Sequence, residues 1–297
     1  MKTSIYYRIL VCSVFLASVF HVGCSTPFEV RQDYKPLLTV YGLLIRDDSL
    51  VYLKVFQNSA VPVSDSLASI SIQGLFAQVT ESGTGIEIPF LSVDSLGTNV
   101  LVAKFHILAG AVYSLRVRAA GFPECSSTAE VVGSGQIEPT LGTLSAIVDP
   151  LKSQDNPTFN IYFSPATVAV SLSLVVRYDG FNNKGIHVRG EIPVLPSYQE
   201  GGQQALLKVN SSPTTIVFPH DSYMTAYSMA KSSIDSGSVI AVVKLLQVDG
   251  AIYDYYSISH GFNDPLTMRT EKPNYTNIKN GLGFWGSAAY DSLSFQL

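Results

Sequence analysis

The sequence predicts a mainly β protein, with two β-sandwich-like domains and one or two short helices in the second. Three observations carry that expectation. From Leu37 onward the chain consists of short apolar or alternating runs rich in Val, Ile, Leu and Tyr, separated by Gly, Asp, Asn, Ser and Pro. That is the punctuation of strands and turns. Six or seven runs at this spacing fit a sandwich of about 100 residues. The pattern then breaks at Gly133-Ser134-Gly135 and Glu138-Pro139, where a domain boundary is expected. The division is therefore 1–23 leader, 24–34 polar tether, 35–135 N-terminal sandwich, and 136–297 C-terminal β-rich domain with short helices and a Gly-rich final block.

The leader is read from charge and hydropathy. Lys2 and Arg8 give a positive start, Ile9 to Phe20 is almost wholly apolar, and His21-Val22-Gly23-Cys24 closes the run. This is the layout of a secretory signal. A run of about a dozen residues is too short for a membrane span, which needs about 20. The closing residues resemble the bacterial lipobox, in which a glycine or alanine precedes a cysteine that is diacylated on sulfur and acylated on its freed amine. Val22 to Ser25 fit that motif, and His21 stands where it usually has leucine. The resemblance implies lipidation at Cys24 and a lasting membrane anchor, because each buried methylene contributes ~0.8 kcal/mol and several chains act together. The alternative is an ordinary signal peptide that ends near a cysteine.

Composition narrows the partners. The formal charge of the 297-residue chain is −4 and becomes −6 once Lys2 and Arg8 leave with the leader. A sparsely charged acidic protein has no electrostatic footprint for nucleic acid. Of the three cysteines, Cys12 leaves, Cys24 carries lipid and Cys125 stands alone, so no disulfide scaffold is expected. His106, His187, His220 and His260 are scattered singly and there is no CxxC, so neither a metal site nor a cofactor is expected.

The elements follow in order. Ser25 to Gln32 is a polar tether with Pro27, and Glu29 is its acidic residue, which leaves the periplasmic and cell-surface faces of the outer membrane both open. Leu37 to Ile45 reads as a strand. In Leu50 to Phe56, Val51, Leu53 and Val55 share one face and Tyr52, Lys54 and Phe56 the other. Ser69 to Val79, Ile86 to Val93 and Val100 to Leu108 continue the style, the last placing His106 toward solvent. In Gly110 to Phe122, Tyr113, Leu115 and Val117 face inward and Arg116 and Arg118 outward. This segment resembles the closing strand of immunoglobulin-like and prealbumin-like sandwich modules. Cys125 to Val132 adds an edge strand.

In the second half, Gly142 to Val148 and Phe159 to Phe163 flank a turn-rich patch. Val168 to Tyr178 is a long strand stopped by Asp179-Gly180. Residues 180–203, rich in Gly, Pro and polar residues with Gly201-Gly202, read as an extended loop. Leu206 to Val209 and Thr215 to Phe218 are short strands. His220-Asp221-Ser222 offers an N-cap to a helix over Tyr223 to Ile234. Val239 to Val248 reads as a central strand buried on both faces. Ile252 to His260 reads as a helix stopped by Gly261, and Ser292 to Leu297 as the final strand.

Gly281, Gly283 and Gly286 spell GxGxxG. The βαβ context of a dinucleotide site is missing, with no strand before, no helix after and no acid ~20 residues on. The glycines are expected to permit turns and close packing under Phe284 and Trp285. Taken together, the lipobox-like leader, the early strand Leu38 to Leu44 and the closing block Asn277-Ile278-Lys279-Asn280-Gly281-Leu282-Gly283-Phe284-Trp285-Gly286-Ser287-Ala288 resemble the Bacteroidota lipoprotein family catalogued as domain of unknown function 4249. The resemblance runs from about Lys35 to the end. It implies an outer-membrane lipoprotein of β-sandwich type, often encoded beside a TonB-dependent transporter, and supplies no catalytic residues. Asp48-Ser49-Leu50, Asp65-Ser66-Leu67, Asp94-Ser95-Leu96 and Asp291-Ser292-Leu293 resemble the Bacteroidota O-glycosylation sequon, which implies glycans at Ser49, Ser66, Ser95 and Ser292. Equally, Asp-Ser closes a turn and Leu opens a strand.

The function expected is that of a non-catalytic binding or accessory lipoprotein, with a TonB-dependent transporter as partner and the membrane reached through lipid. A structural or adhesive surface subunit is the alternative. A hydrolase is the weaker one, since no GxSxG or HExxH is present and His220-Asp221 lacks a motif context.

Overall fold

The computed structural model describes residues 36–57, 71–93, 99–198, 206–260 and 275–297. The leader with Cys24, and also Ser66 and Ser95, lie outside the described residues. The chain is mainly β. Its first half runs β1 (Leu38–Ile45), β2 (Leu50–Gln57), β3 (Phe76–Glu81), β4 (Glu87–Pro89), β5 (Leu91–Ser92), β6 (Val100–Lys104), β7 (Val112–Arg118) and β8 (Cys125–Glu130). Period-two alternation makes these strands. Val51, Leu53 and Val55 are buried between exposed Tyr52 and Lys54, and Tyr113, Leu115 and Val117 are buried while Arg116 and Arg118 are exposed. His106 is exposed, as alternation predicts.

The second half runs β9 (Gln136–Pro139), α1 (Thr143–Val148), β10 (Thr158–Tyr162), β11 (Ala169–Phe181), β12 (His187–Val194), β13 (Leu207–Lys208), β14 (Thr214–Val217), α2 (His220–Ser233), β15 (Ser236–Val248), α3 (Gly250–His260) and β16 (Leu282–Gln296).

One large sheet has the order β12-β11-β15-β16-β1-β2-β6-β5, with β13 also paired to β11. Strand β16 joins its two parts. Residues Leu282 to Ala288 pair in parallel with β1, and Ala288 to Gln296 pair antiparallel with β15. Where β15 has not yet begun, the Asn277 amide takes its place: its Oδ1 accepts from Trp285 N at 2.9 Å and its Nδ2 donates to Trp285 O at 2.6 Å. Where β1 has ended, Arg46 N donates to Ala288 O at 2.9 Å and the Arg46 guanidinium to Tyr290 O at 3.0 Å. The buried first half of β16 thus has backbone partners on both sides, supplied by different means up to Tyr290.

Two smaller sheets cover one face of the large one. The sheet β4-β3-β7-β8 encloses a core with Leu53, Leu115 and Trp285, whose indole N–H donates to Tyr113 O at 3.1 Å. The sheet β14-β10-β9 and helix α2 enclose a second core with Phe159, Leu172, Tyr223 and Leu245. Trp285 in the first core and Leu293 and Phe295 against the second occupy odd positions of β16, so both cores lie on the same face.

Several expectations are corrected. Residues 187–194 are not loop but strand β12, the hairpin partner of β11. Gly190 serves packing rather than a turn, since a Cβ there would lie 2.4 Å from the Tyr178 hydroxyl, and Pro193 sits in an edge strand, where proline is tolerated. Strand β11 runs through Asp179-Gly180 to Phe181, because both residues pair with β12 and β15. Gly142 to Val148, which the sequence left without a type, contains the short helix α1. Helix α2 starts at His220 with Pro219 at its N-cap and no side-chain cap. The cap comes from afar, as Asn156 Oδ1 accepts from His220 N at 2.9 Å. The final strand begins at Leu282, ten residues earlier than Ser292, so Gly283 and Gly286 lie within β16 instead of forming turns. Their close-packing role holds: a Cβ on Gly286 would meet Asp249 and Ile252 within 3.0 Å.

Candidate functional site

The face of the large sheet opposite the two cores is covered in its middle by α3. Ile252 and Tyr253, with Leu43, pack against the cluster of Ala169, Val248 and Ala288. Tyr255 meets Tyr41 and Phe284 with ring centroids 5.7 and 4.7 Å apart. Burial, then the hydrogen bond to Tyr255, push the Tyr41 hydroxyl well above its ordinary range. Asp249 fastens the start of α3 to β16: its carboxylate accepts from Ile252 N at 3.0 Å and from Ser287 N at 2.7 Å. Burial raises that carboxyl to about 6, and the hydrogen bonds from Ile252 and Ser287 oppose the rise.

Beyond α3 the same face opens over β12, β11, β15 and the end of β16, with Val175 and Val242 buried in its middle row. Strand register sets its rows. Glu191, Arg177, Ile240 and Gln296 form one, Pro193, Val175, Val242 and Ser294 the next, and Ser173, Lys244 and Ser292 the third. Arg177, Glu191, Ser292, Ser294 and Gln296 are exposed. Arg177 Nε donates to Glu191 Oε1 at 2.9 Å and Lys244 Nζ to Glu191 Oε2 at 3.1 Å. Arg177 first, and Lys244 second, hold the Glu191 carboxyl below the usual range. Exposed pairs of this kind contribute about 0–1 kcal/mol each. They set paired charges beside the exposed hydroxyls of Ser292 and Ser294. At the hairpin end His187 Nε2 lies 2.7 Å from Asp179 Oδ1, and the His187 ring meets Phe181 at 5.3 Å.

This face rests on a buried polar junction. The Arg46 guanidinium, its side chain 8 % exposed, grips Asp291 at 2.9 and 3.2 Å and donates to Gly133 O at 3.0 Å. Asp291 also accepts from Gly135 N and from Gln247 Nε2, each at 3.0 Å. Thr167 Oγ1 donates to Gln247 Oε1 at 3.2 Å.

The residues singled out by sequence fall in separate places. Ser49 is exposed in a bend where Asp48 Oδ1 accepts from Ser49 N at 2.6 Å and Leu50 N at 3.2 Å, the geometry in which Asp closes a turn and Leu opens a strand. Ser292 is exposed within β16, and its neighbour Asp291 is committed to Arg46. Cys125 is buried with Sγ 3.4 Å from Asn280 O, and burial, then Glu124, push its thiol up to about 11, so it is not a reactive thiolate. His220 Nε2 lies 3.2 Å from Pro150 O. Sequence reading missed the open face. Its signal was the polar alternation His187, Arg189, Glu191 in a stretch that Gly190 and Pro193 disguised as loop. Among the described residues no three His, Cys, Asp or Glu side chains are grouped to hold a metal ion, and no helix is long and apolar enough to cross a membrane.

No family model matches this chain. No curated protein matches it either. Among solved structures it is similar to a crystal structure of the selenomethionine-substituted chicken interferon gamma receptor alpha chain, at 9% identity over 71% of this chain and 89% of that one, with a TM-score of 0.19. A likeness that slight bears on neither site nor function.

Proposed function

We propose that this chain is a non-catalytic outer-membrane lipoprotein, held by acyl chains on Cys24, that works as a binding or accessory component beside a TonB-dependent transporter. The observation that carries the reading is the leader itself, a short apolar run closed by His21-Val22-Gly23-Cys24. The polar tether from Ser25 to Gln32 gives the anchored body reach. The open face supports the binding role, since exposed charge and hydroxyl groups over a rigid sheet suit a polar, hydrated, reversible contact. Arg177, Glu191 and Lys244 are the contact residues assigned to it, and no cofactor or nucleic acid enters the reading.

Affinity isolation of the full chain from detergent-solubilised outer membrane tests this. A TonB-dependent transporter is recovered with the wild type, and recovery falls at least about tenfold for Arg177→Glu/Lys244→Glu, the size of effect that losing about 1.4 kcal/mol of contact gives. Repeated recovery of the chain alone, or of the same transporter in equal amount with the variant, contradicts the assignment of that face.

A further inference from the structure

We infer that the outer edge of β12 is a pairing site for a second copy of this chain, in one antiparallel register. The backbone sets the geometry. In the β11–β12 hairpin, Asn182 N donates to Ile186 O at 3.0 Å, which makes 182 and 186 a hydrogen-bonded pair. Antiparallel ladders alternate hydrogen-bonded and non-hydrogen-bonded pairs. Counting along the register, His187, Arg189, Glu191 and Pro193 occupy the non-hydrogen-bonded positions, so their backbone groups point away from β11. The proline agrees, because its ring nitrogen has no N–H to waste there. The N–H groups of His187, Arg189 and Glu191 and the carbonyls of all four therefore face outward from the last strand of the sheet. Among the described residues no strand pairs with that edge. Open edges of this length are sites for strand addition.

Charge selects the partner. Edge strands commonly carry charges to prevent pairing, and here the charges forbid neighbouring registers while allowing one. If two copies of β12 meet with Arg189 opposite Arg189, or with Glu191 opposite Glu191, like charges face each other across about 5 Å, which is destabilising. Centring the pair on Gly190 instead places Arg189 of each copy opposite Glu191 of the other. Arg189 is exposed and has no ion-pair partner among the described residues. On the opposite side of the strand the same register puts half-buried Val188 against Ile192, and Gly190 against Gly190. His187 N–H then meets the carbonyl of Pro193, where the missing donor ends the ladder. A two-fold pair of this kind is closed, so it stops at a dimer and does not grow into a fibre. It also joins two open faces into one continuous surface twice as wide.

The pairing does not depend on lipidation or on any transporter. The contact is small, below the roughly 1,200 Å² of stable complexes, so association is weak, with half-dimerisation at about 10–100 μM. Sedimentation and amide hydrogen exchange of the full chain in detergent test it together. The wild type shifts from monomer to dimer with concentration, and exchange at His187, Arg189 and Glu191 slows in parallel. Arg189→Pro, which removes an outward N–H but none of the hairpin's own bonds, stays monomeric with an unfolding temperature within a few degrees of wild type. Arg189→Glu is monomeric as well, and Arg189→Lys keeps the dimer. A chain that remains monomeric at about 300 μM, a dimer that leaves those three amides unprotected, or a dimer that survives both Arg189→Pro and Arg189→Glu overturns the inference.

Discussion

Asp291→Ala will destabilise the fold by about 3–5 kcal/mol, because it strands a buried charge rather than merely removing a contact. Arg46 reaches Asp291 through two nitrogens from the end of β1, and its side chain is only 8 % exposed. Taking the carboxylate away leaves the guanidinium with Asp47, whose side chain is 66 % exposed, and with two backbone carbonyls. It also deprives Gly135 N and Gln247 Nε2 of their acceptor. The same substitution at an open pair should do little: Glu124→Ala, facing Arg118 with both side chains at least 41 % exposed, costs under about 1 kcal/mol. Urea unfolding of the two variants at neutral pH measures the difference. If Asp291→Ala loses no more than Glu124→Ala, the junction does not hold β1, β15 and β16 together. Arg46→Met/Asp291→Leu is expected to recover only the share due to the stranded guanidinium, since Gly135 N and Gln247 Nε2 still lack the Asp291 carboxylate.

The second large effect is steric. Gly283→Ala will prevent folding, with a cost above about 4 kcal/mol. At Gly283 the backbone has φ +97°, and a Cβ would sit 2.1 Å from Val40 O. Val40 is the residue with which Gly283 pairs across the parallel β1–β16 junction. Relief would require the two strands to separate, and that junction is the link between the parts of the large sheet. Gly85 is the control. It too has positive φ, at +71°, but nothing lies within 4 Å of its Cβ direction, so Gly85→Ala costs about 1–2 kcal/mol of conformational strain alone. Thermal unfolding and soluble yield separate the outcomes, and near-wild-type stability for Gly283→Ala would show that β1 and β16 do not meet as described.

These residues also mark what the sequence makes legible. The strands β2 and β7 can be read directly, because alternation of apolar and polar residues is a local signal that burial on one face imposes. β12 cannot be read this way, since Gly190 answers to the Tyr178 ring and Pro193 to an unpaired edge. Composition alone assigns both to loop. The first half of β16 is obscured for the same reason: its glycines exist to let β1, Asp249 and Ile252 approach. Arg46 and Asp291 are 245 residues apart, so no window of sequence contains their partnership. The open face is likewise a product of register, in which Arg177, Glu191 and Lys244 become neighbours only when three strands align.

The measurement that tests the proposed role most directly is the mass of the mature amino-terminal peptide, taken from protein recovered in the membrane fraction. A peptide that begins at Cys24 and carries a diacylglyceryl thioether with an acylated amine is the predicted result. An unmodified amino terminus, or a chain found free of membrane after export, would contradict it.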